Sequence, residues 1–299
     1  MSKLDAFKAM KEKFASGQAT KSVKDAVRKD TFKDERLWQY VPKNRDTDVG
    51  RAKIRFLPSP DTESPFVTWR EFGFKGEATG KWYFERSLSS LKKTDPVEEY
   101  SKALYKAGNK AQAAKYRSRE QFLCNIYVID DPVNPENNGK VMLWKFGRSI
   151  YNLIDKAINP KFEDDPTINP FDLWNGATFE IRTSKDTNRM RTYDDSRFDA
   201  TGPLFDNDEK LKEVFEKCYP LTPENDESKY KPFNELKDKF NMVMGFDDAT
   251  ANQPATAAEH LAARMARGQQ QATASNSASN SASNVSADVS GYEDLLGDD

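Results

Sequence analysis

The sequence predicts a mixed α+β fold: an OB-like β-barrel core with helical additions, a basic N-terminal arm and a disordered acidic C-terminal tail. Three observations predict it. Five or more short segments alternate apolar and polar residues with the period of a strand. Amphipathic helical patterns are interspersed among them rather than gathered in one block. The ends of the chain differ in composition from its middle, basic at the start and polar then acidic at the finish.

Leu4, Phe7, Met10 and Phe14 fall at helical spacing over residues 2–15, with Lys3, Lys8, Lys11 and Lys13 between or beside them. A basic amphipathic helix this short is marginal alone and needs a surface to dock on. Lys21 to Arg36 is a second basic stretch with few apolar anchors. The compact region begins near Trp38. Ala52, Ile54 and Phe56 then alternate inward with Lys53 and Arg55 outward. Phe66–Phe72 and Gly80–Glu85 read as two more strands, and residues 96–115 as a helix weakened at Gly108. The runs 122–129 and 140–148 form a hairpin across a Pro/Asn/Gly-rich loop. A helix carries Ile150, Leu153, Ile154, Ala157 and Ile158, and Thr178–Thr183 is a further strand. Residues 185–198 read as a loop, and 207–219 and 232–244 as helices. A weak Ala-rich helix fits 255–267, while the Ser/Asn/Ala repeats at 274–284 cannot bury a core. Three segments follow: a 1–22 arm, a 23–250 core and a 251–299 linker and tail.

At 299 residues the chain suits one large domain or two modest ones. Its net charge of -2 hides an asymmetry: residues 1–45 carry 12 Lys/Arg against 6 Asp/Glu, whereas residues 161–250 carry 13 against 21. The basic half can attract a polyanion, and the acidic half can compete for the same surface. Cys124 and Cys218 sit far apart in apolar patterns and read as buried free thiols, not a disulfide or metal motif. No apolar run is long enough to span a membrane and no signal-peptide core opens the chain. The expectation is a soluble cytoplasmic protein with no membrane partner.

The stretch from Tyr116 to Tyr151 carries the most chemistry. Tyr116, Arg117, Arg119, Phe122, Trp144, Lys145 and Arg148 interleave rings and cations on extended backbone. Arg189, Arg191, Tyr193 and Arg197 repeat the mixture. Flat rings stack on unpaired bases and cations meet phosphates, so the pattern suits a nucleic-acid single strand. It equally suits an ordinary sheet with aromatic core and charged edges. Trp144 and Phe146 share one face, and Leu143 and Lys145 the other.

Catalytic constellations are not legible. The single histidine, His260, lies in the tail region, so no Ser/His/Asp or Cys/His set fits the core, and no phosphate loop is present. A carboxylate metal-dependent nuclease could use Asp130/Asp131 or Asp194/Asp195, although paired aspartates are commonly turn formers. An RNA binder fits the same rings and cations. No enzyme activity and no cofactor or metal is expected.

Several strings occur in order between residues 50 and 245: Ile54-Arg55-Phe56-Leu57-Pro58-Ser59, Gly80-Lys81-Trp82-Tyr83, and Asp131-Pro132 through Pro135-Glu136-Asn137-x-Gly139-Lys140-Val141. Phe146-Gly147, Trp174-x-Gly176-Ala177-x-Phe179 and Tyr193-Asp194-x-Ser196-x-Phe198 follow. The last is Phe233-x-Glu235-Leu236-x-x-Lys239-Phe240-x-x-Val243-Met244-Gly245. Together they resemble the single-stranded DNA-binding proteins of T-even-type tailed bacteriophages.

The resemblance implies an OB-fold core with an electropositive cleft that coats and protects single-stranded DNA during phage replication, recombination and repair in the infected host cell. Matching positions place the family's cleft aromatics on Tyr105, Phe122, Trp144 and Tyr193, and its cleft cations near Arg117, Arg119, Lys145 and Arg197. The basic arm, with Lys3, Phe7, Lys8, Lys11 and Phe14, would serve self-association along the strand. The tail, with Tyr292, Glu293, Asp294, Leu295, Leu296, Asp298 and Asp299, would recruit replication and recombination proteins. Two features depart from the family. Its zinc ligands, one His and three Cys, fall on Phe72, Ser87, Asp95 and Glu98, a poor tetrahedral zinc set. Its basic Lys/Arg-Ser/Thr cluster is echoed only faintly, at Thr20-Lys21-Ser22.

Overall fold

The computed structural model describes residues 34–187 and 189–246. The expected helices at 2–15 and 255–267, the basic stretch before residue 34, His260 and the tail lie outside the described residues. The chain divides into two units, residues 1–38 and 39–299. In the first, Arg36 closes on Asp34 with Nε to Oδ1 at 2.9 Å and Nη2 to Oδ2 at 2.7 Å, just before a two-residue strand, β1 (Leu37–Trp38).

The second unit is mixed α/β. Its strands are β2 (Gly50–Leu57), β3 (Phe66–Lys75), β4 (Trp82–Arg86), β5 (Arg119–Asp130), β6 (Val141–Gly147), β7 (Ala177–Lys185), β8 (Arg191–Thr192) and β9 (Arg197–Thr201). Its α-helices are α1 (Pro96–Lys106), α2 (Lys110–Lys115), α3 (Arg148–Ile158), α4 (Asp208–Glu216) and α5 (Phe233–Met244). The helical stretch at 96–115 is indeed broken at Gly108, whose φ of +83° puts it in the left-handed region that glycine enters freely. The expected 185–198 loop instead contains β8 and the start of β9, strands too short to show an alternating pattern.

β5 is the strand on which the sheet is assembled. One edge carries β6, in register from Gln121↔Gly147 to Tyr127↔Val141, as the hairpin pattern predicts. The other edge is shared. Residues 119–124 pair with β3, and residues 125–130 pair with β2. β2 in turn carries β7, β7 carries β8 and β9, and β3 carries β4. This order does not return on itself: among the described residues no pairing joins the β8/β9 end to β4 or β6. The expected barrel is therefore not closed. The free edge of β3 is taken by β4, and β8 and β9 are too short to bridge back.

Alternation puts Ile54 and Phe56 of β2, Phe122 and Cys124 of β5, Trp144 and Phe146 of β6, and Phe179 of β7 on one face. All are buried, in an aromatic core closed by Phe171. Phe56 is its centre, with ring centroids 5.9 Å from Trp144, 5.5 Å from Phe179 and 5.4 Å from Phe171. The opposite face is covered in part by α4, where Leu57, Val141 and Leu173 meet Leu211, Val214 and Cys218. Arg55 lies on that face and was expected outside, yet it is buried. The loops at 172 and 202 fold over it, and its Nη2 donates to the carbonyls of Asp172 (2.9 Å) and Gly202 (2.7 Å). Both cysteines are buried free thiols. Burial pushes the Cys218 thiol up to about 12 and raises that of Cys124 as well.

A second cluster joins β3, β4, α1, α2 and α5. Phe72, Phe74, Tyr83, Tyr100, Tyr116 and Phe240 meet edge to face or stacked, at centroid separations of 5.0–6.5 Å.

Candidate nucleic-acid interface

The sequence-predicted rings and cations separate by face. Phe122 is stacked between Phe146 (5.6 Å) and Tyr151 (4.4 Å), and is buried. Trp144 is only 4% exposed. Tyr116 caps α2 from inside the second cluster, 5.0 Å from Phe74 and 5.3 Å from Tyr100. As base-stacking platforms these three positions need correction. Each gives its ring to a packed core, because the covering residues, Phe56, Phe171, Tyr100 and Phe240, come from elsewhere in the chain. Tyr105 and Tyr193 are half-buried, with the Lys110 ammonium 5.2 Å from the Tyr105 ring centroid.

The cations, by contrast, face solvent. Arg117 lies between α2 and β5, Arg119 opens β5 and Lys145 lies near the end of β6, all exposed. Lys145 meets Glu71 of β3 at 3.1 Å. Arg148 opens α3, pairs with Glu120, and lies 5.1 Å over the Tyr151 ring. Arg191 donates to Asp48 at 2.8 Å and lies 5.7 Å over Tyr40. That hydrogen bond holds the Asp48 carboxyl below its usual range. Arg197 meets Glu180 at 3.1 Å, and Arg182 meets the same carboxylate at 3.1 Å. The hydrogen bond from Arg182, with Arg197 and Lys53 nearby, outweighs burial and keeps Glu180 below the usual range. Arg189 is exposed at φ +60°, a conformation that costs a non-glycine residue energy.

The acidic partners, Glu71, Glu120, Glu180 and Asp48, are what sequence reading missed. Glu71 and Glu120 sit at the expected strand alternation, but only the register shows which cation each one holds. The Lys145–Glu71 and Arg148–Glu120 pairs are at the surface and worth about 0–1 kcal/mol, so a competing anion opens them at little cost. Glu180, by contrast, is buried and holds Arg182 and Arg197 more firmly.

The Asp130/Asp131 pair serves structure. Asp131 Oδ1 accepts from the amides of Val133 (3.2 Å) and Asn134 (3.0 Å), its Oδ2 from Asn137 Nδ2 (3.0 Å), and Asp130 meets Arg51 at 3.7 Å. Among the described residues no group of three or more His, Cys, Asp or Glu is placed to hold a metal.

The four positions that correspond to family zinc ligands do not fit that metal. Ser87 Oγ lies 3.4 Å from Asp95 Oδ2 and 3.1 Å from Glu98 Oε1. However, Asp95 Oδ1 already caps α1 through the amides of Val97 (2.9 Å) and Glu98 (3.3 Å), and Oδ2 accepts from Leu88 N (3.0 Å). Phe72, at the fourth position, is a buried ring with no donor atom. A hydrogen-bonded turn stands where the family's metal would.

Exposed cations set on strands and their flanks, rather than converging on a cavity, fit a protein of the class that meets an extended anion. No helix among the described residues is long and apolar enough to cross a membrane. Residues 48–244 match the family described as gp32 DNA binding protein like, and the chain belongs to it. It is 34% identical over 245 residues to a single-stranded DNA-binding protein of Enterobacteria phage T2, covering 79% of each chain. It is 35% identical over 224 residues to one of Enterobacteria phage T4, covering 72% of each. A shorter match, 35% over 105 residues, covers 33% of this chain and 91% of a single-stranded DNA-binding protein of Escherichia phage SV14.

Proposed function

We propose that this chain binds single-stranded DNA with little sequence preference, as a non-catalytic coating protein in phage DNA replication, recombination and repair. The observation that carries the reading is two sets of exposed cations, Arg117, Arg119, Lys145 and Arg148, and Arg189, Arg191 and Arg197, of which Lys145, Arg148, Arg191 and Arg197 are held in ion pairs. The printed names of the relatives support it. Phosphates replace the carboxylates of Glu71 and Glu120 as partners, and condensed counterions leave the DNA. Tyr105 and Tyr193, half-buried beside cations, serve as stacking rings.

Titrating a labelled oligothymidine across salt tests this reading, since each phosphate contact contributes roughly -0.9 to -0.7 to the log–log slope. Arg119→Glu with Lys145→Glu should weaken binding about tenfold or more and flatten the slope by about one to two contacts. Unchanged affinity and slope in a folded variant would sink this interface. Matched RNA oligomers report the preference for DNA.

The arm 1–22 is proposed to link neighbouring protomers along the strand through Phe7 and Phe14 beside Lys3, Lys8 and Lys11. The tail is proposed to visit the basic surface when DNA is absent, and to offer Tyr292, Leu295 and Leu296 to replication proteins when displaced. Deleting 1–22 should reduce cooperativity on long strands only, and truncation after Asn284 should strengthen binding at low salt. Equal losses on short and long strands, or an unchanged salt curve, would count against the arm and the tail respectively.

A further inference from the structure

Two large rings lie in the open on the β4 strand. Trp82 is 55% exposed and Phe84 60% exposed, and their rings are nearly parallel, 13° apart with centroids separated by 5.1 Å. Tyr83 between them points into the second cluster, so the pair occupies the other face of the sheet. The register fixes what else is on that face. Lys75 is opposite Trp82, Gly73 opposite Phe84, and Glu71 opposite both Arg86 and, on the next strand, Arg119. Lys145 reaches the same Glu71 from β6. The face therefore carries Lys75 beside Trp82 and, farther along the strand, Arg119 and Lys145 by Glu71, while the Arg86 guanidinium lies over the Trp69 ring and donates to the Glu224 carbonyl.

Gly73 makes the arrangement possible. A Cβ there would come within 3.1 Å of the Phe84 ring, so the missing side chain lets that ring lie down on the strand. Phe84 thus has a floor, and Trp82 stacks on it. Filling space above a glycine accounts for Phe84 but not for Trp82, which adds an exposed ring at the sheet's edge where apolar surface invites aggregation. Addition of a partner strand is disfavoured, because Lys239 of α5 already donates to the Phe84 carbonyl at 3.3 Å.

We propose that Trp82 and Phe84 form a base-stacking platform for single-stranded DNA, with Lys75, Arg119 and Lys145 meeting the phosphates alongside. The proposal rests on the single-strand reading above and adds to it the stacking rings that the buried Phe122 and Trp144 do not supply. Rings already parallel and exposed lose little freedom on meeting a base, and cations on the same face complement the backbone charge.

The test uses the full-length chain and a short labelled oligothymidine followed by anisotropy, with circular dichroism and thermal unfolding as checks on folding. Trp82→Ala with Phe84→Ala should lower affinity about tenfold or more, and Trp82→Phe should stay within about threefold of the parent. Irradiating the parent with a 5-iodouracil-substituted strand should cross-link Trp82, a readout that needs no variant. A parent that binds, a folded double variant that binds equally well and no cross-link at Trp82 would overturn the platform while leaving the single-strand reading intact. A parent that does not bind single strands overturns the single-strand reading itself. A double variant normal on short strands but less cooperative on long ones overturns the platform in favour of a protein contact.

Discussion

The two aromatic clusters are built from the same residue types but by different rules. The one centred on Phe56 is a dry stack on one sheet face, reached by rings from β2, β5, β6 and β7. The one centred on Phe72 and Tyr83 borders a polar turn in which Ser87, Asp95 and Glu98 share hydrogen bonds. It also holds a buried Tyr83 hydroxyl without a hydrogen-bond partner. Burial, followed by the charges of Asp95 and Glu85, raises the pKa of that phenol. The first cluster depends on volume alone. The second depends on the capped turn formed by Ser87, Asp95 and Glu98, and the orphaned hydroxyl works against it.

The contrast breaks first, and with the largest expected effect, at Trp144. Trp144→Ala opens a cavity beside Phe56 and Phe146 and should cost about 3–5 kcal/mol in denaturant unfolding. A loss below about 1 kcal/mol would mean that the ring is not a core element. In the second cluster, Asp95→Ala removes the α1 cap and should cost about 1–2 kcal/mol. That cost should depend on pH with a defined sign. Burial raises the Asp95 carboxyl above 3.8, so the folded chain holds this proton more tightly than the unfolded one. The stability it contributes through protonation is fully present below 3.8 and is lost as pH rises through the raised value. Comparing parent and variant from acid to neutral pH should show the larger difference in acid; the opposite trend would mean that the charged form is the one favoured. The smallest effect belongs to Tyr83→Phe. Deleting a hydroxyl that has no partner should leave stability unchanged or raise it by up to about 1 kcal/mol. A clear loss would reveal a partner for that oxygen.

Much of the strand framework was legible because alternation is a local property. The 121–148 hairpin, the break at Gly108 and the inward set Ala52, Ile54 and Phe56 all appear where the pattern puts them. Alternation says which residues share a face, but not which face is covered. Trp144 and Phe146 share a face opposite Lys145, as alternation says, yet the ring packed against both is Phe56, far away in sequence. Arg55 failed for the same reason: its outward face is roofed by segments more than a hundred residues downstream. The closed barrel failed because closure depends on how two distant edges meet, and no local pattern encodes that. Among the candidate cations, Arg119, Lys145, Arg191 and Arg197 lie on strands, whereas Arg148 opens a helix and Arg117 and Arg189 lie in connections. The rings that turned out exposed, Trp82 and Phe84, were visible only as one more alternating segment.

β5 has a consequence for how the molecule folds. Twelve residues long, it is hydrogen-bonded to β2, β3 and β6. β7 reaches the rest of the sheet through β2, and β4 through β3. Among the described pairings, none of these five strands has a route to the rest of the sheet that bypasses β5. The β3–β4, β5–β6 and β7–β8 pairs all close over short loops at little cost in chain entropy, and of these only the β5–β6 hairpin brings β5 into place. The strand 50–57 precedes it in the chain and must wait for a template made later, and 66–75 has until then only β4 as a partner. During synthesis the N-terminal part of the sheet therefore leaves the ribosome with unpaired edges, and the growing chain carries that exposure until residues 119–147 emerge.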